Sequence, residues 1–250
     1  MADEKRFAVL IDAENVSEKY VKFILDEITN DGVATIKRIY GDWTKPIMNS
    51  WKNVLLDNSI TPIQQYSYTT GKNATDSAMI IDAMDILYAG NIDGFCLVSS
   101  DSDFTRLAAR LRESGMIVVG MGEKKTPNPF IAACNKFKYL EILAQNSAPE
   151  ADEPAEVASV SGLDHTSLDA VRNTVLTIVQ ETSDDDGWAT LGDVGNILTK
   201  RYPDFDVRNY GFRKLTPFIK SLKIFDIRPV HGKDGHVSAI CVKEKEHGRS

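Results

Sequence analysis

Histidine and cysteine are scarce in this 250-residue chain. The four histidines, His165, His231, His236 and His247, all lie in the second half, which excludes a histidine-built zinc site from the first. The three cysteines, Cys96, Cys134 and Cys241, lack metal-ligand spacing. Cys96 and Cys241 stand in apolar, strand-like runs, so they read as buried free thiols in a reducing compartment, and a cytoplasmic location is expected. No apolar run approaches the roughly 18 residues that would span a bilayer. The opening MADEKRFAVLID passes almost directly into a strand, so no secretory leader is expected. A glycine-rich phosphate turn is also missing after the first strand, which leads to Asp12-Ala13-Glu14-Asn15; a nicotinamide dehydrogenase is thereby disfavoured.

What is present is a soluble, globular composition, 42% apolar and 26% charged, with a net charge of −7. The charge is unevenly spread. Residues 1–145 carry 16 bases and 19 acids, and residues 146–164 carry five acids and no base. Residues 208–233 carry seven bases and one acid, Asp226. That stripe suits a polyanion, or simply a solvated helix face. The segment from Asn146 to Gly162 is rich in Ala, Pro, Glu and Ser and has no aromatic residue, so it cannot bury enough surface to fold alone. The expected organisation is a domain over 1–147, an acidic flexible linker over 148–162 and a second domain over 163–250.

Before the linker, strand-like and helix-like patterns alternate. Strands are expected at 7–12, 34–40, 61–67, 94–100 and 116–122, and helices at Val16 to Thr29, Pro46 to Asp57, Thr75 to Ala89 and Phe104 to Ser114. The strands at 7–12, 94–100 and 116–122 are almost wholly apolar, which calls for a parallel sheet covered on both faces: an α/β fold. Right-handed crossovers bring the strand C-termini to one edge, where functional groups gather at the switch in strand order. Asp12 ends the first strand, Asp101 and Asp103 follow the fourth, and Asp76 opens the third helix behind Thr75, which is read as its N-cap. All four aspartates are therefore expected at that edge. Capping accounts for any one of them. Capping does not require four to cluster, and clustering costs repulsion that a divalent cation offsets. A site built mostly from carboxylates points to Mg²⁺ or Mn²⁺ and phosphate chemistry.

The motifs VLIDAENV (Val9 to Val16), RIYGDW (Arg38 to Trp43), KNATDSAMIIDAMDIL (Lys72 to Leu87) and LVSSDSDFTRLAARLRESGMIVVGMG (Leu97 to Gly122), in this order and spacing, resemble the LabA-like NYN domain, a branch of the PIN-like nuclease superfamily. The resemblance covers about residues 5–145. It implies a PIN-like parallel sheet with helices on both faces and a metal-dependent, ribonuclease-like site. Asp12 is similar to the acid after the first strand, Asn15 to the polar residue that follows it, and Asp76 to the acid at the head of the middle helix. Asp101 and Asp103 resemble the paired acids after the fourth strand, behind the small hydroxyl residue Ser99. Ser100 stands where the family often has glycine. Asp82 also matches a family position, but six residues from Asp76 it does not share that face cleanly and is left out of the site. The metal set is Asp12, Asp76, Asp101 and Asp103, with Mg²⁺ or Mn²⁺ as cofactor. Lys72 is a candidate phosphate contact or an exposed loop lysine. Tyr40 and Trp43 are candidates to stack on a single strand, or to pack internally.

Beyond the linker, helical patterns at Leu168 to Glu181, Leu191 to Arg201 and Val207 to Ser221 precede two strand-like runs around the turn HGKDGH. Three helices and a β-ribbon outline a small winged helix. Gly187, Trp188, Leu191, Leu198, Tyr210, Gly211, Lys214, Leu215 and Phe225 resemble the LOTUS, or OST-HTH, domain. This resemblance implies RNA binding, or docking of a protein partner. Arg208, Tyr210, Arg213 and Lys214 are the nucleic-acid candidates: Tyr210 by stacking or as core, Arg213 and Lys214 by phosphate contact. The expected function is thus a metal-dependent ribonuclease acting on RNA, single-stranded by preference, with a LOTUS domain that delivers it. A non-catalytic RNA-binding or scaffold protein with a residual acidic site is the alternative. A haloacid-dehalogenase-type phosphatase would need Asp-x-Asp where this chain has Asp12-Ala13-Glu14.

Overall fold

The computed structural model describes residues 4–66, 74–145, 166–231 and 237–245. The chain divides into two compact units, Met1–Pro149 and Glu150–Ser250. The expected linker over 148–162, Lys72 and residues 232–236 of the expected hairpin turn all lie outside the described residues.

The first unit runs β1 (Arg6–Asp12), α1 (Val21–Ile28), β2 (Val33–Gly41), α2 (Trp51–Asp57), β3 (Thr61–Gln64), α3 (Ala74–Ala89), β4 (Gly94–Val98), α4 (Thr105–Glu113), β5 (Ile117–Gly122), α5 (Asn128–Ala133), β6 (Lys136–Tyr139) and α6 (Leu140–Gln145). The six strands form one sheet in the order β3-β2-β1-β4-β5-β6, every pairing parallel. The order reverses between β1 and β4, so a crevice opens beyond their C-terminal ends.

Strand alternation feeds two cores. Phe7, Val9 and Ile11 of β1 point to one face, where Val21, Ile24 and Ile28 of α1, Trp51 and Leu55 of α2, and Leu140 and Leu143 of α6 cover them. Ala8 and Leu10 point to the other face, under Met79, Ala83 and Ile86 of α3, Leu107 and Leu111 of α4, and Phe130 of α5. The covered sheet is the α/β architecture that the apolar strands require. Two expected helices open as 3-10 turns, at Glu18–Tyr20 and Pro46–Ser50. β6 and its flanking short helices had no counterpart among the expected elements. In β6, Phe137 and Tyr139 are buried, while Lys136 pairs with Asp31 and Lys138 with Glu27.

The second unit contains α7 (Leu168–Thr182), β7 (Ala189–Thr190), α8 (Leu191–Arg201), α9 (Leu215–Ser221), β8 (Phe225–His231) and β9 (Val237–Glu244). Its three strands form an antiparallel sheet in the order β7-β9-β8. α7 and α8 are capped by Ser167 and Thr190, whose hydroxyls accept the backbone N–H of Ala170 and Asp193. The single helix expected over Val207 to Ser221 is corrected: a 3-10 turn at Val207–Tyr210 stops at Gly211, which adopts φ +80°, and α9 starts only at Leu215. A left-handed residue cannot sit inside a right-handed helix, and glycine takes that conformation at little cost.

All three cysteines are buried free thiols. Among the described residues, no helix is long and apolar enough to cross a membrane.

A carboxylate site at the strand switch

Asp12 ends β1 on the face that carries Ala8 and Leu10, and β1 pairs with β4 through Ile11 and Val98. One step further, Ser99 leaves β4 on the same face as Phe95 and Leu97. The two side chains meet: Ser99 Oγ donates to Asp12 Oδ2 at 2.8 Å. Asp12 also accepts from Asn15 Nδ2 at 2.7 Å and from the Glu14 amide at 3.0 Å. Only 1% of Asp12 is exposed. Burial raises its pKa, against the lowering effect of these hydrogen bonds.

Ser99 also orders the next turn. Its Oγ accepts the Asp101 amide at 3.1 Å, and Asp101 Oδ1 accepts the Asp103 amide at 2.9 Å, capping the 3-10 turn Ser102–Phe104. Ser100, the departure from the family's frequent glycine, accepts the Glu123 amide on Oγ at 2.8 Å and ties the turn to the end of β5. Gly122 closes the floor: a Cβ there would lie 2.6 Å from the Ser99 carbonyl oxygen. Only glycine permits that approach.

α3 brings the remaining acid. Asp76 lies in its first turn, half-buried, and one carboxylate oxygen from each of Asp76, Asp101 and Asp103 lies within 4.8 Å of the others. Asp12 is not one of this trio, and its oxygens accept from Ser99, Asn15 and the Glu14 amide. The Asp76 pKa is pushed up to about 6, first by burial and then by the charges of Asp12, Asp101, Asp103 and Glu14. The site therefore concentrates negative charge, which the upward shift of Asp76 reports. Its donors are carboxylate oxygens without a thiol or imidazole, which suits a hard divalent ion of the Mg²⁺ or Mn²⁺ kind.

Other candidates are placed differently. Tyr40 is fully buried, and its hydroxyl and the Arg38 guanidinium both donate to Asp82. Tyr40 is thus a core residue, not a stacking surface, and Asp82 belongs to that network. Trp43 donates its indole N–H to the Ile63 carbonyl at 2.9 Å and packs against the core. Thr75 is not the N-cap: α3 starts at Ala74, and the buried Thr75 Oγ1 has no hydrogen-bond partner. The sequence signal for its burial was present, since Thr75, Met79, Ala83 and Ile86 form one helical stripe.

In the second unit, Arg208 is tied to Asp206, with Nη2 2.7 Å from Oδ2. The Tyr210 hydroxyl donates to the Thr166 carbonyl at 2.6 Å, and its ring packs on Phe205 and Phe218. The ring is thus partly buried against the core of this unit, with burial raising the phenol pKa. Arg228 lies over the Trp188 ring, 4.0 Å from its centroid. Arg213 and Lys214, just ahead of α9, are exposed.

The family model described as NYN domain matches residues 6–141, and the one described as OST-HTH/LOTUS domain matches residues 166–237. Among solved structures, the chain is similar to a protein of unknown function from Vibrio parahaemolyticus RIMD 2210633, at 19% identity over 56% of this chain and 94% of that one, with a TM-score of 0.47. It is also similar to an uncharacterized protein from Nitrosomonas europaea, at 30% identity over 39% of this chain and 91% of that one, with a TM-score of 0.29. No curated protein matches it.

Proposed function

The chain belongs to the NYN domain family and carries an OST-HTH/LOTUS domain behind it, and from that premise we propose that it is a divalent-metal-dependent ribonuclease. The observation that carries the proposal is the trio Asp76, Asp101 and Asp103, gathered within 4.8 Å at the strand switch and backed by buried Asp12. Asp76, Asp101 and Asp103 would hold Mg²⁺ or Mn²⁺, with Asp12 adding to the negative field. Such an ion activates water and stabilises charge on the attacked phosphate.

The chain's own groups set the geometry. Ser99 and Asn15 hold the Asp12 carboxylate in place, and Ser99 with the Asp103 amide fixes the turn that presents Asp101. Pinned in this way, the carboxylates lose little freedom when a substrate arrives. The OST-HTH/LOTUS domain supplies RNA affinity through exposed Arg213 and Lys214, with single-stranded RNA as the preferred form. Lys72, four residues ahead of Asp76 in the sequence, is a candidate phosphate contact, and Arg208, paired with Asp206, contributes to the basic stripe.

The test is cleavage of end-labelled single-stranded RNA by the full chain in Mn²⁺, Mg²⁺ or EDTA, alongside Asp101→Asn and Asp76→Asn. Cutting that needs the metal and is lost in both variants is the expected result. RNA binding that persists in EDTA, without cutting under any condition, would instead assign the chain as an RNA-binding module with a residual acidic site.

A further inference from the structure

Thr75 is 3% exposed, and its Oγ1 is the one buried side-chain nitrogen or oxygen among the described residues that lacks a hydrogen-bond partner. Leaving a buried hydroxyl unpaired is unfavourable, and valine would fill the same volume without that cost. The place of Thr75 in the fold shows which part of the site it stands beside. It begins the buried stripe that continues through Met79, Ala83 and Ile86, and those three residues pack on the sheet face carrying Ala8, Leu10, Phe95 and Leu97. Continued to their C-terminal ends, the same two strands place Asp12 and Ser99 on that face. Thr75 lies one helical turn before Met79, at the end of α3 that also presents Asp76. Thr75 therefore stands on the sheet-facing side of α3, at the end of the helix that carries Asp76 and toward the strand ends that bear Asp12 and Ser99.

We propose that Thr75 is a positioning residue whose Oγ1 is the protein's hydrogen-bond partner for water held in the carboxylate cleft beside the divalent cation. The proposal rests on the cation-binding part of the function inferred above. The ionised acids of this cleft are acceptors only, and Asp12 already accepts from Ser99, Asn15 and the Glu14 amide. A threonine hydroxyl supplies one donor and two acceptor positions at a fixed point. Water hydrating a divalent cation is a strong donor, so an acceptor at that point orders it. Outer-sphere partners of this kind set ion affinity as well as geometry.

The test uses the full chain carrying Thr75→Val, which removes only the hydroxyl, and Thr75→Ser, which keeps it. Mn²⁺ affinity is measured by calorimetric titration, urea unfolding is followed without metal, and RNA cleavage is resolved into kcat and KM. In Thr75→Val the Mn²⁺ Kd is expected to rise about tenfold, in line with outer-sphere losses elsewhere. Cleavage should fall in kcat with little change in KM, and the metal-free variant should be at least as stable as the wild type. Thr75→Ser should bind Mn²⁺ nearly as tightly as the wild type. Wild-type Mn²⁺ affinity in Thr75→Val would overturn the proposal, as would a wild type that binds no Mn²⁺. If the wild type binds Mn²⁺ but cuts no RNA, the ribonuclease assignment fails while the Mn²⁺ titrations still decide the role of Thr75.

Discussion

Ser99 and Asp12, 87 residues apart in the chain, share a buried hydrogen bond of 2.8 Å across the strand switch. The bond locks the end of β1 to the end of β4, and the same hydroxyl accepts the Asp101 amide. Ser99→Ala removes both interactions and leaves a buried carboxylate short of a donor. A loss of about 1–3 kcal/mol in unfolding free energy is expected from urea titration. Mn²⁺ affinity should fall with it, because the turn bearing Asp101 and Asp103 loses its anchor. Ser99→Thr should restore most of both. Unchanged stability in Ser99→Ala would mean that the bond carries no net weight.

Asp76 gives the site a pH signature. Its pKa is raised from 3.8 to about 6 in the fold, so its contribution to stability is fully present below the unfolded value and is lost as pH rises through about 6. Asp12, also raised, acts in the same sense. Metal-free protein should therefore melt at a lower temperature at pH 7 than at pH 5, and Asp76→Asn should flatten that slope. Mn²⁺ binds the ionised form, so its affinity should climb over the same window. Scanning calorimetry at several pH values, with and without Mn²⁺, checks both; a wild-type slope in Asp76→Asn would assign the effect to other groups.

The sheet and the gathering of Asp76, Asp101 and Asp103 at its edge were legible for a common reason. β1, β4 and β5 are nearly continuous apolar runs, and such runs specify a doubly covered parallel sheet whose strand ends must converge. Once Asp12 and Asp101 are placed on those ends, their proximity follows from topology. The parts that escaped notice are short or hidden by tertiary context. β6 has four residues and α5 six, too few for a periodic signal. Gly211 looked like one residue in a long helical pattern, and only its φ of +80° shows that it breaks the pattern. Thr75 fitted the composition of a cap, whereas the packing of α3 buries it.

Asp82 separates structural from site carboxylates. It accepts from both Arg38 and the buried Tyr40 hydroxyl. Asp82→Ala leaves the Tyr40 hydroxyl unpaired under α3 and frees Arg38 from its partner. A loss of about 1–3 kcal/mol is expected in urea unfolding, with Mn²⁺ affinity within about twofold of the wild type at temperatures where the variant is folded. A Mn²⁺ affinity reduced as far as in Asp101→Asn would place Asp82 in the metal set after all.

Arg213 and Lys214 make a separable prediction for the second domain. Both are exposed, whereas Arg208 is neutralised by Asp206 and Arg228 rests on Trp188. Each cation that contacts a single strand releases about 0.7 of a counterion, so the double change to alanine should lower RNA affinity and reduce the slope of log affinity against log salt by about 1.4. Mn²⁺ affinity should not move, because the carboxylate site is built entirely within the first unit. Filter binding of single-stranded RNA across a salt series, in EDTA to exclude cutting, reads the slope. An unchanged slope would take these two side chains off the RNA path and shift the LOTUS domain toward a protein-docking role.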